Sequence, residues 1–221
     1  MRRHWLTAIL FWAGAAQADE LKLVSPNEID YREIEIEHEG SASQGGERFY
    51  SVELGTGATP WWHIGAELDL AREAGPDGET AIEGVTLENQ IRLTRPGENW
   101  VDMALYSEIT RSAERGVPDD VLVGAAFLKD VGHTTHTLDL FVDKSLGGAT
   151  EFTYAWQSRW NLYRLFAPSI EAFGGTRQLI AGPVVTGAIL LGPIGKLRYE
   201  AGYLFGDSPT MRWKLEMEIP F

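Results

Sequence analysis

Apolar and polar side chains alternate with a period of two along almost the whole chain after residue 28, and this feature narrows the fold more than any other. In the last segment Met211, Trp213, Leu215, Met217, Ile219 and Phe221 alternate with Arg212, Lys214, Glu216 and Glu218. Only an extended strand turns successive side chains to opposite faces, so this segment sets an apolar face back to back with a charged one. The same pattern runs through 85–94, where Val85, Leu87, Ile91 and Leu93 oppose Glu88, Gln90 and Arg92, and it recurs at 64–70, 101–105, 138–143 and 196–201.

The period and the turn signals between its segments predict strands near 28–40, 48–57, 61–72, 82–94, 100–111, 119–130, 136–146, 151–163, 165–174, 178–191, 194–206 and 210–221. Gly, Pro and Asn clusters such as Ser43-Gln44-Gly45-Gly46, Gly75-Pro76-Asp77-Gly78 and Arg95-Pro96-Gly97-Glu98-Asn99 separate them. Pro168 and Pro183 interrupt the ninth and tenth segments. If the first strand starts on the periplasmic side, the polar stretches 40–47, 73–81 and 112–120 face outward and the inner connections are mostly tighter.

A β-sandwich in water would also alternate, so the period alone does not choose between that and a barrel in lipid. Three features favour lipid: strands near 11 residues, one face too charged for a dry core, and Trp61, Trp62, Trp100 and Trp160 set near strand ends, four of the six Trp beyond the expected signal, as an interfacial girdle requires. The expected fold is all-β: a transmembrane antiparallel up-and-down β-barrel of about 12 strands. A mean hydropathy of −0.17 is compatible with this, because only alternate residues face lipid. No apolar stretch after the first is long enough for a spanning helix; the best, 184–194, contains Pro193.

The first residues have a different character. Arg2 and Arg3 precede an apolar stretch from Trp5 to Ala16, and Ala16-Gln17-Ala18 precedes Asp19-Glu20. That is the layout of a secretory signal cleaved after Ala18, and the apolar stretch is shorter than the roughly 20 residues of a spanning helix. The domain organisation expected is a signal peptide over 1–18, a short periplasmic segment over 19–27 and a barrel over 28–221. Cleavage leaves 221 − 18 = 203 residues and takes the formal charge from −13 to −13 − 2 = −15. So acidic a chain has no electrostatic attraction to nucleic acid. It has no cysteine, so disulfides and thiolate metal sites are ruled out.

The final strand, ending Glu216-Met217-Glu218-Ile219-Pro220-Phe221, resembles the C-terminal signal that outer-membrane barrels present to their assembly machinery. Leu87-Glu88-Asn89-Gln90 through Arg95-Pro96-Gly97-Glu98-Asn99-Trp100-Val101-Asp102, and Lys196 to Gly206 followed by Ser208-Pro209, resemble a family of proteobacterial outer-membrane proteins of uncharacterised function. The likeness covers most of the chain after residue 60. It implies fold and outer-membrane location, with lipid and the barrel-assembly machinery as partners, and it implies no reaction. Pro220 departs from the terminal pattern by removing a ladder donor, which is tolerable near a strand end.

Parity sorts the residues expected to line the interior. An acidic wall comprises Glu33, Glu35, Glu37, Glu53, Glu67, Asp69, Glu88, Asp102, Glu108, Asp139 and Asp143. The luminal basic residues are Arg92, Arg159, Lys196, Arg198, Arg212 and Lys214, five of them in the last five strands. Barrel closure sets the last strand beside the first, where Arg212 and Lys214 can approach Glu33, Glu35 or Glu37. The expected function is a monomeric narrow channel or uptake accessory for small polar solutes. One alternative is a structural or partner-docking barrel whose salt bridges close the lumen, as buried carboxylates need partners; a second is an outer-membrane hydrolase or lipid-modifying enzyme.

The enzyme alternative lacks a constellation. A nucleophilic hydrolase needs an imidazole placed to take a hydroxyl proton, and beyond the signal the chain has His38, His63, His133 and His136, none beside a convincing serine. His133 and His136 form a weak metal candidate in an expected periplasmic turn, were the turn to curl. No cofactor is expected.

Overall fold

The computed structural model describes residues 21–27, 31–75, 78–175 and 179–221. The expected signal peptide and the expected start of the first strand at 28 lie outside the described residues, as do Pro76 and Asp77. Twelve strands form one closed antiparallel barrel: β1 (Glu33–Ser43), β2 (Arg48–Thr59), β3 (Trp62–Arg72), β4 (Thr80–Arg92), β5 (Asp102–Ser112), β6 (Asp120–Val131), β7 (Thr134–Ser145), β8 (Thr150–Trp160), β9 (Ala167–Gly175), β10 (Leu179–Leu190), β11 (Lys196–Leu204) and β12 (Thr210–Pro220). Each strand pairs with its successor and β12 pairs with β1, so no edge remains unsatisfied.

Burial follows the two-residue period with the sense opposite to that of a protein in water. On β1 Glu35, Glu37 and Glu39 are buried while Ile36 is exposed; on β12 Arg212, Glu216 and Glu218 are buried while Met211 and Leu215 are exposed. Leu54, Leu87, Leu105, Ile109, Leu140 and Phe152 continue the exposed apolar belt. Carboxylates inside and leucines outside are compatible with an apolar solvent around the wall. At the barrel end that carries Phe221, Trp61, Trp62, Trp100, Trp160 and Tyr163 are exposed, an aromatic rim of the kind a headgroup layer favours.

The first strand differs most from its expected bounds. It starts at Glu33 rather than 28 and runs to Ser43, because Arg32 adopts a left-handed conformation (φ 66°) that breaks the extended chain ahead of it. At β9 and β10 the prolines are accommodated. Pro168 lies beyond the last β8–β9 pair, Arg159 with Ser169. Pro183 has no N–H to donate, and β10–β11 pairing lapses there, to resume at the Ala181–Phe205 bridge in the same register as Val184–Gly202. Connections at the Phe221 end are not uniformly tighter: 60–61 and 132–133 are two-residue turns, but 93–101 is longer than any described connection at the other end.

Four glycines sit directly opposite aromatic rings on the next strand: Gly40 with Trp213, Gly124 with Phe141, Gly174 with Tyr154 and Gly187 with Tyr199. In each pair the ring lies over the glycine where a Cβ would stand. The ring covers backbone that the glycine leaves bare, which pins register across the pair.

Candidate functional site

The inner face of the barrel has three zones. The first is a belt of carboxylates. Glu216 of β12 pairs with Glu37 of β1, Glu37 with Glu53 of β2, and Glu53 with Glu67 of β3. Glu88 of β4 pairs with Glu108 of β5. Like charges placed directly opposite across strands destabilise a sheet unless cations stand among them. The belt therefore needs cations, and Lys22, Lys214 and Arg198 supply them. Gly55 and Gly65 leave room for it, since a Cβ at Gly65 would collide with the Glu53 carboxylate and one at Gly55 with the His63 ring.

The second zone is the seam of β11, β12 and β1. Lys196 pairs with Glu218; Arg198 lies 2.6 Å from Glu218 and 3.6 Å from Glu216; Lys214 lies 2.6 Å from Glu37. Arg212 does not turn to Glu33, Glu35 or Glu37. It stands level with Ser41, beyond their reach, and donates to Glu171 of β9 at 2.6 Å while approaching Glu200 at 3.0 Å and Glu39 at 3.9 Å. Its side chain is 3% exposed and its guanidinium lies 5.1 Å from the Phe173 ring centre.

The third zone is apolar, which alternation alone did not reveal. Tyr106 of β5 and Phe141 of β7 meet edge to face, 5.9 Å between centroids, with Ala126 buried beside them. They can meet because β6 offers them the small residues Gly124 and Ala126. Ala155, Phe173, Ile180, Val184 and Leu204 form a second inward cluster on β8 to β11.

Residues 21–27 unite these zones. Expected on the periplasmic side, they run inside the bore instead. Leu21 and Leu23 pack on the β8–β11 cluster and Val24 on the Tyr106–Phe141 cluster. Lys22, between the two leucines, points the other way. Its ammonium pairs with Glu88 and lies 2.8 Å from Glu108 and 3.4 Å from Glu67, with the Tyr106 ring centre at 5.6 Å. Hydrogen bonds also tie the segment to the wall. Val24 N–H donates to Asp139 (2.8 Å), Gln90 to the Ser25 carbonyl (2.8 Å), Arg92 to the Pro26 carbonyl (3.1 Å), and Asn27 to Asp102 (2.8 Å).

The Lys22 side chain is 17% exposed, and its carboxylate partners are 4%, 4% and 6% exposed. Burial disfavours the charged ammonium, but Glu108, Glu67 and Glu88 outweigh it and hold the lysine pKa well above its ordinary value. Tyr106 donates its hydroxyl to Glu108, completing the cage. Beside Lys22 a cavity of about 30 Å³ remains, lined by residues that include Glu35, Glu53, His63 and Lys214; a second, of about 10 Å³, lies near Pro26, Pro60 and Arg92. Spaces of that size hold about one water each beside the inserted segment.

The other expected lining residues take lesser positions. Glu33 is half-buried at the mouth beside Pro220, Asp143 faces Glu151 at the opposite mouth, and Arg159 donates to Asn161 at 3.1 Å. Asp69 accepts from Thr86 at 2.9 Å, and Asp102 accepts from the Gly97 N–H at 3.0 Å, tying down the long 93–101 connection. Two acidic trios, Glu35–Glu37–Glu216 and Glu53–Glu67–Glu88, bring carboxylate oxygens within 4.8 Å of one another. Each already has a basic side chain among its members. His136, expected in a turn with His133, belongs to β7 and meets the Thr134 hydroxyl at 3.2 Å, while His133 stays exposed in the turn. The strand points His136 away from a shared site. His63 is buried facing the bore, and the His38 ring meets the Ser51 carbonyl at 2.9 Å.

A scan against protein-family models and a search of curated proteins found no match. Solved structures do match. The KdgM porin in complex with disordered oligogalacturonate aligns with a TM-score of 0.59 at 7% identity over 86% of this chain and 99% of that one. The transport unit of the autotransporter AIDA-I from Escherichia coli aligns at 0.48 with 12% identity over 92% and 95% of the two chains. The CymD monoaromatic hydrocarbon channel aligns at 0.45 with 7% identity over 89% and 90%. The first of these likenesses shows a shared barrel fold.

Proposed function

We propose that the protein is an outer-membrane channel for small polar solutes, held closed by its own N-terminal segment. The observation that carries this reading is residues 21–27 threaded through a charged bore, with Lys22 caged by Glu67, Glu88 and Glu108. A purely structural barrel would fill its bore from its own walls. Here a short segment outside the strands supplies the closing element, and it can leave without breaking a ladder. Removing an extended chain from a bore frees a passage on the order of 5 by 10 Å, the spacing of strands and of packed sheets. The belt of paired carboxylates would favour cations over anions along that passage. Export through the N-terminal signal, monomeric insertion into outer-membrane lipid and assembly through the strand ending Phe221 belong to the same reading.

A structural or partner-docking barrel with a closed lumen is the second reading. It is favoured by the inward apolar clusters and the salt bridges, which fill much of the bore. Proteoliposome swelling separates the two. The chain lacking residues 19–27 should admit glycine and arabinose faster than the intact chain does; equal exclusion by both would support the closed structural barrel.

A further inference from the structure

The carboxylate belt is a costly construction for a wall that only has to be filled. Glu37, Glu53 and Glu67 stand opposite one another on consecutive strands, and Glu88 stands opposite Glu108. Neutral residues would fill the same volume without that repulsion. Glu67, Glu88 and Glu108 project from β3, β4 and β5 toward one point, and a primary ammonium already occupies it, with an aromatic face beside it. Carboxylates around an ammonium and a ring face near the charge are the two features by which organic cations are recognised. The occupant belongs to the closing segment, so the site is filled only while the bore is stopped.

Resting on the channel reading above, we propose that the Glu67–Glu88–Glu108 cage beside Tyr106 is a binding site for primary alkylammonium cations, that Lys22 fills it as a tethered substitute, and that a solute bearing such a group opens the bore by displacing Lys22. The flanking contacts suit the exchange. Leu21, Leu23 and Val24 rest on apolar patches, and hydrogen bonds hold Val24, Ser25, Pro26 and Asn27, whereas Lys22 meets three carboxylates at once and is the segment's charged anchor. The Lys22 side chain itself shows that a four-carbon alkylammonium fits. The cage takes its charge, and the Tyr106 ring centre lies 5.6 Å from the ammonium.

The probe is n-butylammonium, the lysine side chain without its backbone, titrated by calorimetry into the refolded full chain in detergent. Lys22→Ala should bind it saturably, one per chain, and more tightly than the wild type, where Lys22 competes. Adding Glu88→Gln should weaken binding about tenfold or more, since one charge-assisted contact is lost. n-Butanol, of the same shape without the charge, should not bind. Absence of saturable binding to Lys22→Ala, equal affinity in the wild type, or equal binding of n-butanol would each overturn the site. If Lys22→Ala does not show the heat-modifiable migration of a folded barrel, Lys22→Ser, which also leaves the space of the stem free, replaces it. Bilayer recordings keep the two readings apart. A variant that binds n-butylammonium but never conducts refutes the channel and the opening step while supporting the site; one that conducts but does not bind refutes the site and leaves the channel.

Discussion

Replacing Lys22 by alanine should release the segment from the bore, and the structure sets the size of the effect. The lysine and its three carboxylate partners are all largely buried, with partner exposures of 4%, 4% and 6%, so the pair belongs to the buried class and not to weak surface ion pairs. Removing one member of such a group costs about 3–5 kcal/mol, because the remaining charges lose their compensation. The barrel ladders do not depend on residues 21–27, whereas the segment does depend on Lys22. The loss therefore falls on the equilibrium between inserted and withdrawn segment, and at about 1.4 kcal/mol per tenfold it corresponds to about two to four orders of magnitude. The chain has no cysteine, so Leu23→Cys introduces a single thiol at a position that packs against the β8–β11 cluster. Maleimide labelling of that thiol should be about 100-fold faster or more when Lys22→Ala is added. A labelling rate within threefold of the Lys22 parent would refute the claim that the cage anchors the segment.

Three further outcomes are expected. Arg212→Met should destabilise the barrel by about 3–5 kcal/mol, read as a lower urea midpoint, since it strands Glu171, Glu200 and Glu39; Glu171→Gln in that background should recover part of the loss, and no recovery would contradict the assigned pairing. Gly124→Ala should cost about 1–3 kcal/mol in the same assay because the added methyl would meet the Phe141 ring and the Leu140 carbonyl, and a neutral result would place the ring elsewhere. The Lys22 pKa is raised in the folded state, so its contribution is complete below the ordinary lysine value and is lost only as pH rises through the raised one; a spin label on residue 23 should keep one mobility from pH 7 to about 10, and a change inside that window would refute the anchoring role.

The wall was largely legible in the sequence and its contents were not. Alternation in 210–221 is visible to the last residue, and β12 buries the charged half of it. Closure adds what alternation omits, namely depth. Parity gives Arg212 an inward position without giving its level in the bore, and so pointed to carboxylates of β1 when its partner is Glu171, three strands away in the barrel. Glu39 shares the parity of Glu33, Glu35 and Glu37 and lies inside the expected first strand, and it is buried with Glu35 and Glu37, although it is absent from the expected acidic wall. Alternation does not mark the inward apolar patches, because Gly124, Ala126 and Ala155 are too small to define a face; Gly124 and Ala126 matter by making room for Tyr106 and Phe141, and Ala155 lies in the β8–β11 cluster. Hardest to see was Lys22. Leu21-Lys22-Leu23 has the alternation of a strand but is too short to register as one, and its partners lie 45, 66 and 86 residues along the chain (67 − 22, 88 − 22 and 108 − 22).

Single-channel recording in planar bilayers decides whether residues 21–27 close the bore, with the intact chain and the chain lacking residues 19–27 refolded in parallel and both confirmed as barrels by heat-modifiable migration. Closure by the segment predicts long silent periods for the intact chain and frequent, cation-selective conductance steps once the segment is gone. Identical records from the two chains, whether both silent or both conducting, would contradict it.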